Sequence, residues 1–472
     1  MYDSPNSLIK RFIGFSVGPV ISAFISFFIV PLTTYFVVPT EFGKASMYNM
    51  ALSISSLFVF LGMDQSFTRE FNREENKKNL FWNSFIVPFV FSFILAFIYI
   101  VFYKSISILM FKNIERYTMI ILSMSLPFMV IDRFNLLLIR MQEKARIYSV
   151  LNVISKIINV IILVPYLMYI DNSFKGIINA GFIGLILMCA IELIFTKDFW
   201  LNKFYINKKL MVDMFSYGLP LIPTSIIVWF LSSMDKIAMR QWSDFNQIGL
   251  YSAALKIVAV VTIIQQAFCN FWTPTAYRWY EEKVENNQYI KVSNMLLCIM
   301  NFIFIFIVLF RDLIIKILSP RYSAASPIVP FLLFLPIMYT VSEATSLGIS
   351  LSRKTSYNIL TSLIAALINY ILNYLLVPKY GALGAAIATA VSYIVFFWAR
   401  TLISRKLWFK FSLKYYFFNI LFMIVLVFVD VFYHNIYLNV LISLIILFID
   451  REQINQILKY VKIFVKNKKQ NI

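Results

Sequence analysis

Residues 117–139 read YTMIILSMSLPFMVIDRFNLLLI, an apolar run long enough to cross a bilayer that nevertheless carries Asp132 and Arg133 near its end. Its Leu126-Pro127 is followed about 21 positions later by Tyr148, and then by Leu163-Val164-Pro165. Roughly 209 positions further on the same order returns as Leu335-Pro336, Tyr357 and Leu376-Val377-Pro378. Phe15-Ser16-x-Gly18 likewise recurs as Phe215-Ser216-x-Gly218. A membrane bundle written twice is how many transporters are built, because alternating access works by moving one half against the other.

Composition fits that reading. Hydrophobic residues make up 60% of the chain, aromatic residues 18% and charged residues only 14%, whereas an ordinary soluble domain is about a quarter charged. Apolar runs succeed one another near 12–38, 45–68, 80–103, 117–139, 148–170, 176–196, 213–238, 249–273, 292–318, 325–350, 355–377, 382–404, 412–431 and 435–450. The expected fold is therefore an all-α polytopic membrane protein of about 14 transmembrane helices. Two six-helix lobes in parallel pseudo-repeat would occupy 1–200 and 201–408, and 409–472 would hold two extra spans and a basic tail. The first run is longer than a signal-peptide core and lacks a small-residue cleavage site, so it reads as a retained span. The longest loop, around Lys197 to Val212, is too short for a soluble catalytic module.

The net charge of +20 would suggest nucleic acid in a soluble protein. Here about 29 of the 43 Lys and Arg fall on the side of the termini and about 10 on the other. The termini are accordingly expected in the cytoplasm of a bacterium, at its inner membrane, with the basic tail facing anionic lipid. Nucleic acid is not an expected partner. The loop holding Arg311, Lys316 and Arg321 departs from the asymmetry. Cys189, Cys269 and Cys298 have no CxxC spacing, so neither a disulfide framework nor a zinc site is expected. The lone His434 lies in a late hairpin and reads as interfacial. Gly381 and Gly384, in YGALGAAIATA, open a span and read as close helix packing, not a phosphate loop.

A charge at bilayer depth costs about 2.5–3.5 kcal/mol on insertion scales, so each one needs a reason. Arg133, Lys156, Lys236, Lys256 and Arg69 are candidates to hold an anionic substrate. Asp64, Asp132, Glu192, Asp235 and Glu343 are candidates for Na⁺ or H⁺ coupling, or for ion pairing with those cations. By topology Asp132, Arg133, Lys156, Glu192 and Glu343 fall in the inner half, and Asp235, Lys236 and Lys256 in the outer half. Asp64, Arg69, Arg140 and Lys236 also lie near span ends, where long side chains snorkel to the interface. Lys156 and Lys256 stand deeper in their spans and are the stronger cavity candidates.

Several stretches carry a family resemblance: PTEFGKAS at 39–46, LGMDQSFTREF at 61–71, RFNLLLIRMQEKARIYS at 133–149, YGLPLIPTSI at 217–226, SSMDKIAM at 232–239, IGLYSAALKI at 248–257 and VPKYGALGAAIATAVSY at 377–393. The chain resembles the polysaccharide repeat-unit flippases of the multidrug/oligosaccharidyl-lipid/polysaccharide exporter superfamily. That resemblance implies a non-enzymatic protein that moves undecaprenyl-pyrophosphate-linked oligosaccharides for O-antigen, lipopolysaccharide or capsule. It implies two lobes around a hydrated, cation-lined cavity, with no cofactor beyond a coupling ion. It also implies partnership with membrane lipid, a polysaccharide polymerase and a chain-length regulator. By position in these stretches, Asp64, Arg69, Asp235, Lys236 and Lys256 carry over as functional candidates. Competing readings are a lipid II-type flippase or drug exporter of the same superfamily, or a membrane polysaccharide polymerase. The internal repeat and the short outward loops argue against the polymerase.

Overall fold

A computed structural model describes residues 21–22, 24–201, 205–354 and 356–470, with side chains to 459 and at 462. The start of the first span, the Phe15-Ser16-x-Gly18 motif and most side chains of the basic tail lie outside the described residues. All regular elements described are helical. In hydrocarbon every backbone polar group must be satisfied within its own segment, and a helix does this without a partner.

The first elements are α1 (Phe24–Phe36), α2 (Pro39–Phe60), α3 (Met63–Glu70), α4 (Lys77–Val101), α5 (Tyr103–Phe111) and α6 (Arg116–Met141). They are followed by α7 (Ala145–Tyr169), α8 (Phe174–Trp200), α9 (Lys208–Gly218), α10 (Leu221–Trp242) and α11 (Phe245–Glu281). Then come α12 (Asn286–Leu309), α13 (Arg311–Leu318), a 3₁₀ segment at Pro320–Ile328, α14 (Val329–Leu332), α15 (Phe334–Thr345) and α16 (Leu347–Leu351). The last are α17 (Ser356–Leu407), α18 (Lys414–Phe428), α19 (Ile436–Ile449) and α20 (Arg451–Gln470).

Among the described residues ten helices are long and apolar enough to cross a membrane. The bent pair α2–α3 counts as one more, and α17, at 52 residues, breaks at Gly381 into two. With the short apolar helices α1 and α19, about fourteen crossing segments are present, in the order the hydropathy predicts. Their outward faces are apolar, as at Phe97, Leu109 and Tyr169, which is the pattern of a lipid-facing surface.

Boundaries differ from expectation where Pro or Gly interrupts a run. The second span is not straight: Leu61 and Gly62 both take positive φ, and α3 turns 54° away from α2. The seventh is two helices, α9 and α10, because Leu219-Pro220 ends the first and begins the second. The ninth divides into α12 and α13, and the tenth is assembled from the 3₁₀ segment, α14, α15 and α16. Side-chain caps mark other starts. Asn76 accepts from the Asn79 amide at 3.0 Å, and Asn207 accepts from Leu210 at 3.1 Å.

By packing the chain divides into two compact units, Met1–Ser252 and Ala253–Ile472. These follow contacts, whereas the lobes 1–200 and 201–408 follow the repeat. In the first unit α6 packs along α4 and α8, and interhelical hydroxyl bonds hold α2 in place: Tyr48 with Ser125 at 3.1 Å and Ser55 with Tyr99 at 2.6 Å. In the second unit α15 packs along α17. The two extra spans dock there through a buried polar network. The fully buried Asp450 accepts from Asn301 Nδ2 at 2.8 Å and from the Tyr415 hydroxyl at 2.5 Å, and so ties α12 to α18 and the end of α19.

Candidate functional site

The break between α2 and α3 builds the site in the first unit. Gly62 has φ 74°, and a Cβ there would fall 2.5 Å from the backbone of Gly218, so both positions need glycine for the close approach. The turn aims α3 across α6, and Asp64 meets Arg133: Nη2 donates to Oδ2 at 2.8 Å and Nε at 3.3 Å. Asp64 is buried, while the Arg133 side chain is 45% exposed. The two line a cavity of about 360 Å³ together with Asp132, Gln65, Ser56 and Ser225. An arginine uses five N–H donors, and Asp64 engages only two of its nitrogens. The remainder suit an anion with several oxygens.

The other residues singled out in sequence have separate fates. Lys156, half-buried on α7, bears electrostatically on Asp132, and Glu192 on α8 is wholly buried beside Asp132. Asp235 is buried and accepts from the Tyr251 hydroxyl. Lys236 is half-buried, and Lys256 is exposed on α11. Arg69 is not among the residues lining the cavity. It pairs with Glu70 at 3.3 Å, and its guanidinium lies 4.2 Å from the centre of the Tyr217 ring. Glu343 lies in the second unit, where Arg400 Nη1 donates to it at 2.7 Å and to Ser342 Oγ at the same distance.

Two arginines differ from their sequence reading. Arg400, near the end of the apolar run 382–404, is buried on α17 against Glu343 and the ring of Phe396. Arg311 is buried too, 3.0 Å from Asp430, whereas Lys316 and Arg321 of the same stretch are exposed. His434 is exposed, with Nδ1 3.3 Å from Arg311 Nη2. The three cysteines are free. At YGALG the backbone turns at Gly381, and a Cβ on Gly384 would lie 2.5 Å from the Leu376 carbonyl, a close packing contact. The one signal for Arg400 is its place at the end of an unbroken apolar run, facing a span that carries an unpaired-looking acid.

Five of the stretches that carry the family resemblance, scattered in sequence, meet in the first unit. Gly43 of PTEFGKAS abuts Phe245 and Gly249, and Gly249 abuts Pro39. LGMDQSFTREF meets YGLPLIPTSI at Gly62 and Gly218, and RFNLLLIRMQEKARIYS at Arg133.

Fold and site together define a polytopic, all-helical membrane protein with a polar cavity in its first unit. Residues 8–276 match the family described as polysaccharide biosynthesis protein, and the chain belongs to that family. It is 26% identical over 240 residues to an uncharacterised membrane protein of Methanocaldococcus jannaschii, a match that spans 49% of this chain and 45% of that protein. It is 21% identical over 266 residues to the capsular polysaccharide biosynthesis protein CapF of Staphylococcus aureus, spanning 54% and 66%. Among solved structures, the lipid II flippase MurJ in an inward closed conformation superimposes with a TM-score of 0.71 at 17% identity, over 94% of this chain and 99% of that one. An inward-facing multidrug resistance MATE family transporter of the MOP superfamily superimposes with a TM-score of 0.63 at 12% identity, over 84% and 97%. At these identities the structures establish the shared fold.

Proposed function

We propose that this protein translocates polyprenyl-pyrophosphate-linked oligosaccharide repeat units across the bacterial cytoplasmic membrane for surface polysaccharide assembly, with no bond made or broken in the substrate. The observation that carries the reading is Arg133, a half-exposed guanidinium inside an apolar bundle, facing a polar cavity in a chain of the polysaccharide biosynthesis family. Its place on α6 keeps it among hydrocarbon-spanning elements, where an unused charge is costly. Asp64 holds it until a pyrophosphate competes for the same donors. The sugars enter the cavity with the headgroup, and the polyprenyl tail stays in lipid. With the cell interior negative, export of each negative charge is downhill by about 2.3 kcal/mol per 100 mV. The polymerase and chain-length regulator would act on the product at the outer face, and the termini would lie in the cytoplasm.

The test is transfer of a short undecaprenyl-pyrophosphate glycan across liposomes containing the purified protein. Loss of one charge-assisted contact is worth about 1.5–3 kcal/mol, so Arg133→Ala should slow transfer by roughly 10- to 100-fold, with partial recovery in Arg133→Lys. Wild-type transfer no faster than in empty liposomes would defeat the proposal. A lipid II-type substrate is the second reading, favoured by the extent of the superposition on MurJ. It is separated by competition: lipid II added to the liposomes should block glycan transfer only if both use this cavity.

A further inference from the structure

Two cations that the Arg133 cavity leaves unused stand at the far end of α10. Arg240, in the last turn of that helix, donates from Nε to the Met110 carbonyl at 2.8 Å and from Nη2 to the Ile108 carbonyl at 2.7 Å. Those carbonyls belong to the last turn of α5, which stops at Phe111 and is followed by Lys112 at φ 59°. Lys112 completes an exchange. Its Nζ donates at 3.1 Å to the carbonyl of Ser243, the residue that follows α10. Each helix therefore has its negative C-terminal end held by a cation from the other.

Both cations are held only by neutral acceptors, and among the described residues neither is paired with a carboxylate. The acids nearest them in the chain are engaged elsewhere. Asp244 Oδ1 accepts from the Gln247 amide at 2.8 Å, Glu115 pairs with Lys175 at 3.0 Å, and Asp235 accepts from the Tyr251 hydroxyl. A carbonyl offers a dipole, whereas phosphate oxygens offer full charge and match the guanidinium fork with two parallel bonds. A phosphate-bearing ligand is thus the acceptor that outcompetes the carbonyls. We propose that Arg240 and Lys112 form a second anion station for a pyrophosphate headgroup, and that binding there frees the two helix ends. The headgroup assignment rests on the function proposed above.

Position gives the station its role. α5 ends the third span and α10 the seventh, so both finish on the same face, the outer one in the topology proposed above. Close packing shuts that end as well, with Gly43 against the Phe245 carbonyl and Gly249 against Pro39. The Arg240 guanidinium lies 5.8 Å from the centre of the Phe245 ring and so joins the two contacts. Ser225, which lines the Arg133 cavity, sits on the same helix as Arg240, about 22 Å away along the axis at about 1.5 Å per residue. One helix thus links an inner station to an outer one. A headgroup that reaches the outer end takes Arg240 and Lys112 from their carbonyls, and the caps that tie α5 to α10 are released as it does. The charge of the cargo is what opens this end.

Calorimetric titration of the purified protein with inorganic pyrophosphate at low salt tests the station without any glycan. Arg133→Ala protein should still bind, and adding Lys112→Gln and Arg240→Gln should weaken that binding about 10-fold or more. Should the triple variant not fold, Lys112→Gln alone in the Arg133→Ala background must weaken it several-fold, since Lys112 is exposed. Binding that ignores the two outer cations overturns the station. Hydrogen exchange reads the release: pyrophosphate should speed exchange in the last turns of α5 and α10, and unchanged or slower exchange there overturns it. A phospholipid headgroup shares this chemistry, so phosphatidylglycerol added to the micelles is the control. Displacement of pyrophosphate by that lipid, with glycan transfer at the wild-type rate in Lys112→Gln/Arg240→Gln liposomes, overturns the headgroup assignment. Transfer slowed about 10-fold or more in that double variant is the expected result. No transfer by the wild type removes the function proposed above and the headgroup assignment with it, and the titration alone then decides the anion station.

Discussion

The α6–α8 crossing of the first unit and the α15–α17 crossing of the second are versions of one design with opposite charge choices. Each pairs a proline-containing helix, with Pro127 or Pro336, against the final span of its repeat. Each final span opens at a glycine whose missing Cβ lets the chain fold back on a carbonyl: Gly176 against Asp171, Gly384 against Leu376. Glu192 stands as far beyond Gly176 as Arg400 stands beyond Gly384. In the second unit that position is an arginine closed on Glu343, Ser342 and an aromatic face. In the first it is a glutamate set beside another carboxylate and an amide. A buried charge that has its counter-charge recovers part of its desolvation cost, and removing that counter-charge is strongly destabilising. The two crossings therefore differ in whether the buried group at this position closes an ion pair.

The sharpest way to break the comparison is to remove the paired arginine. Arg400→Ala leaves Glu343 partly buried without its cation and should destabilise by about 3–5 kcal/mol, measured by thermal unfolding in detergent. The double variant Arg400→Met with Glu343→Leu should recover most of that loss, because matched apolar groups remove both desolvation costs. A smaller effect is expected at the hinge that aims Asp64. Gly62→Ala adds a Cβ against Gly218 at a positive φ and should cost about 1–3 kcal/mol. Glu192→Gln should sit at the other end, within about 0.5 kcal/mol of the wild type, since an amide of nearly the same size replaces a carboxyl that closes no ion pair. A loss at Glu192→Gln as large as that at Arg400→Ala would erase the distinction drawn between the crossings. Arg69→Ala should change stability by no more than about 1 kcal/mol, as an exposed arginine paired with Glu70 and stacked on Tyr217.

Arg400 and Arg311 show where a linear reading stops. Charge asymmetry counts cations by their place between apolar runs. It cannot tell an arginine that snorkels from one on the buried side of a helix, because that depends on how the helix is rotated against its neighbour. Asp64 and Arg133 are named in sequence as separate charges on separate spans, and only the turn at Leu61-Gly62 makes them a pair. Asn135 is silent in sequence, an amide in an apolar run, until Thr196 and Trp200 occupy its oxygen.

The chain by itself determined the class of protein, about fourteen crossing segments, their order and the family, since in lipid a span depends on the hydropathy of its own residues and on hydrogen bonds within them. The tertiary structure alone decided which charges meet, which are closed and which is left open, because the partner of a buried charge is set by helix rotation, crossing and breaks at Gly and Pro, and none of these is a property of any single stretch.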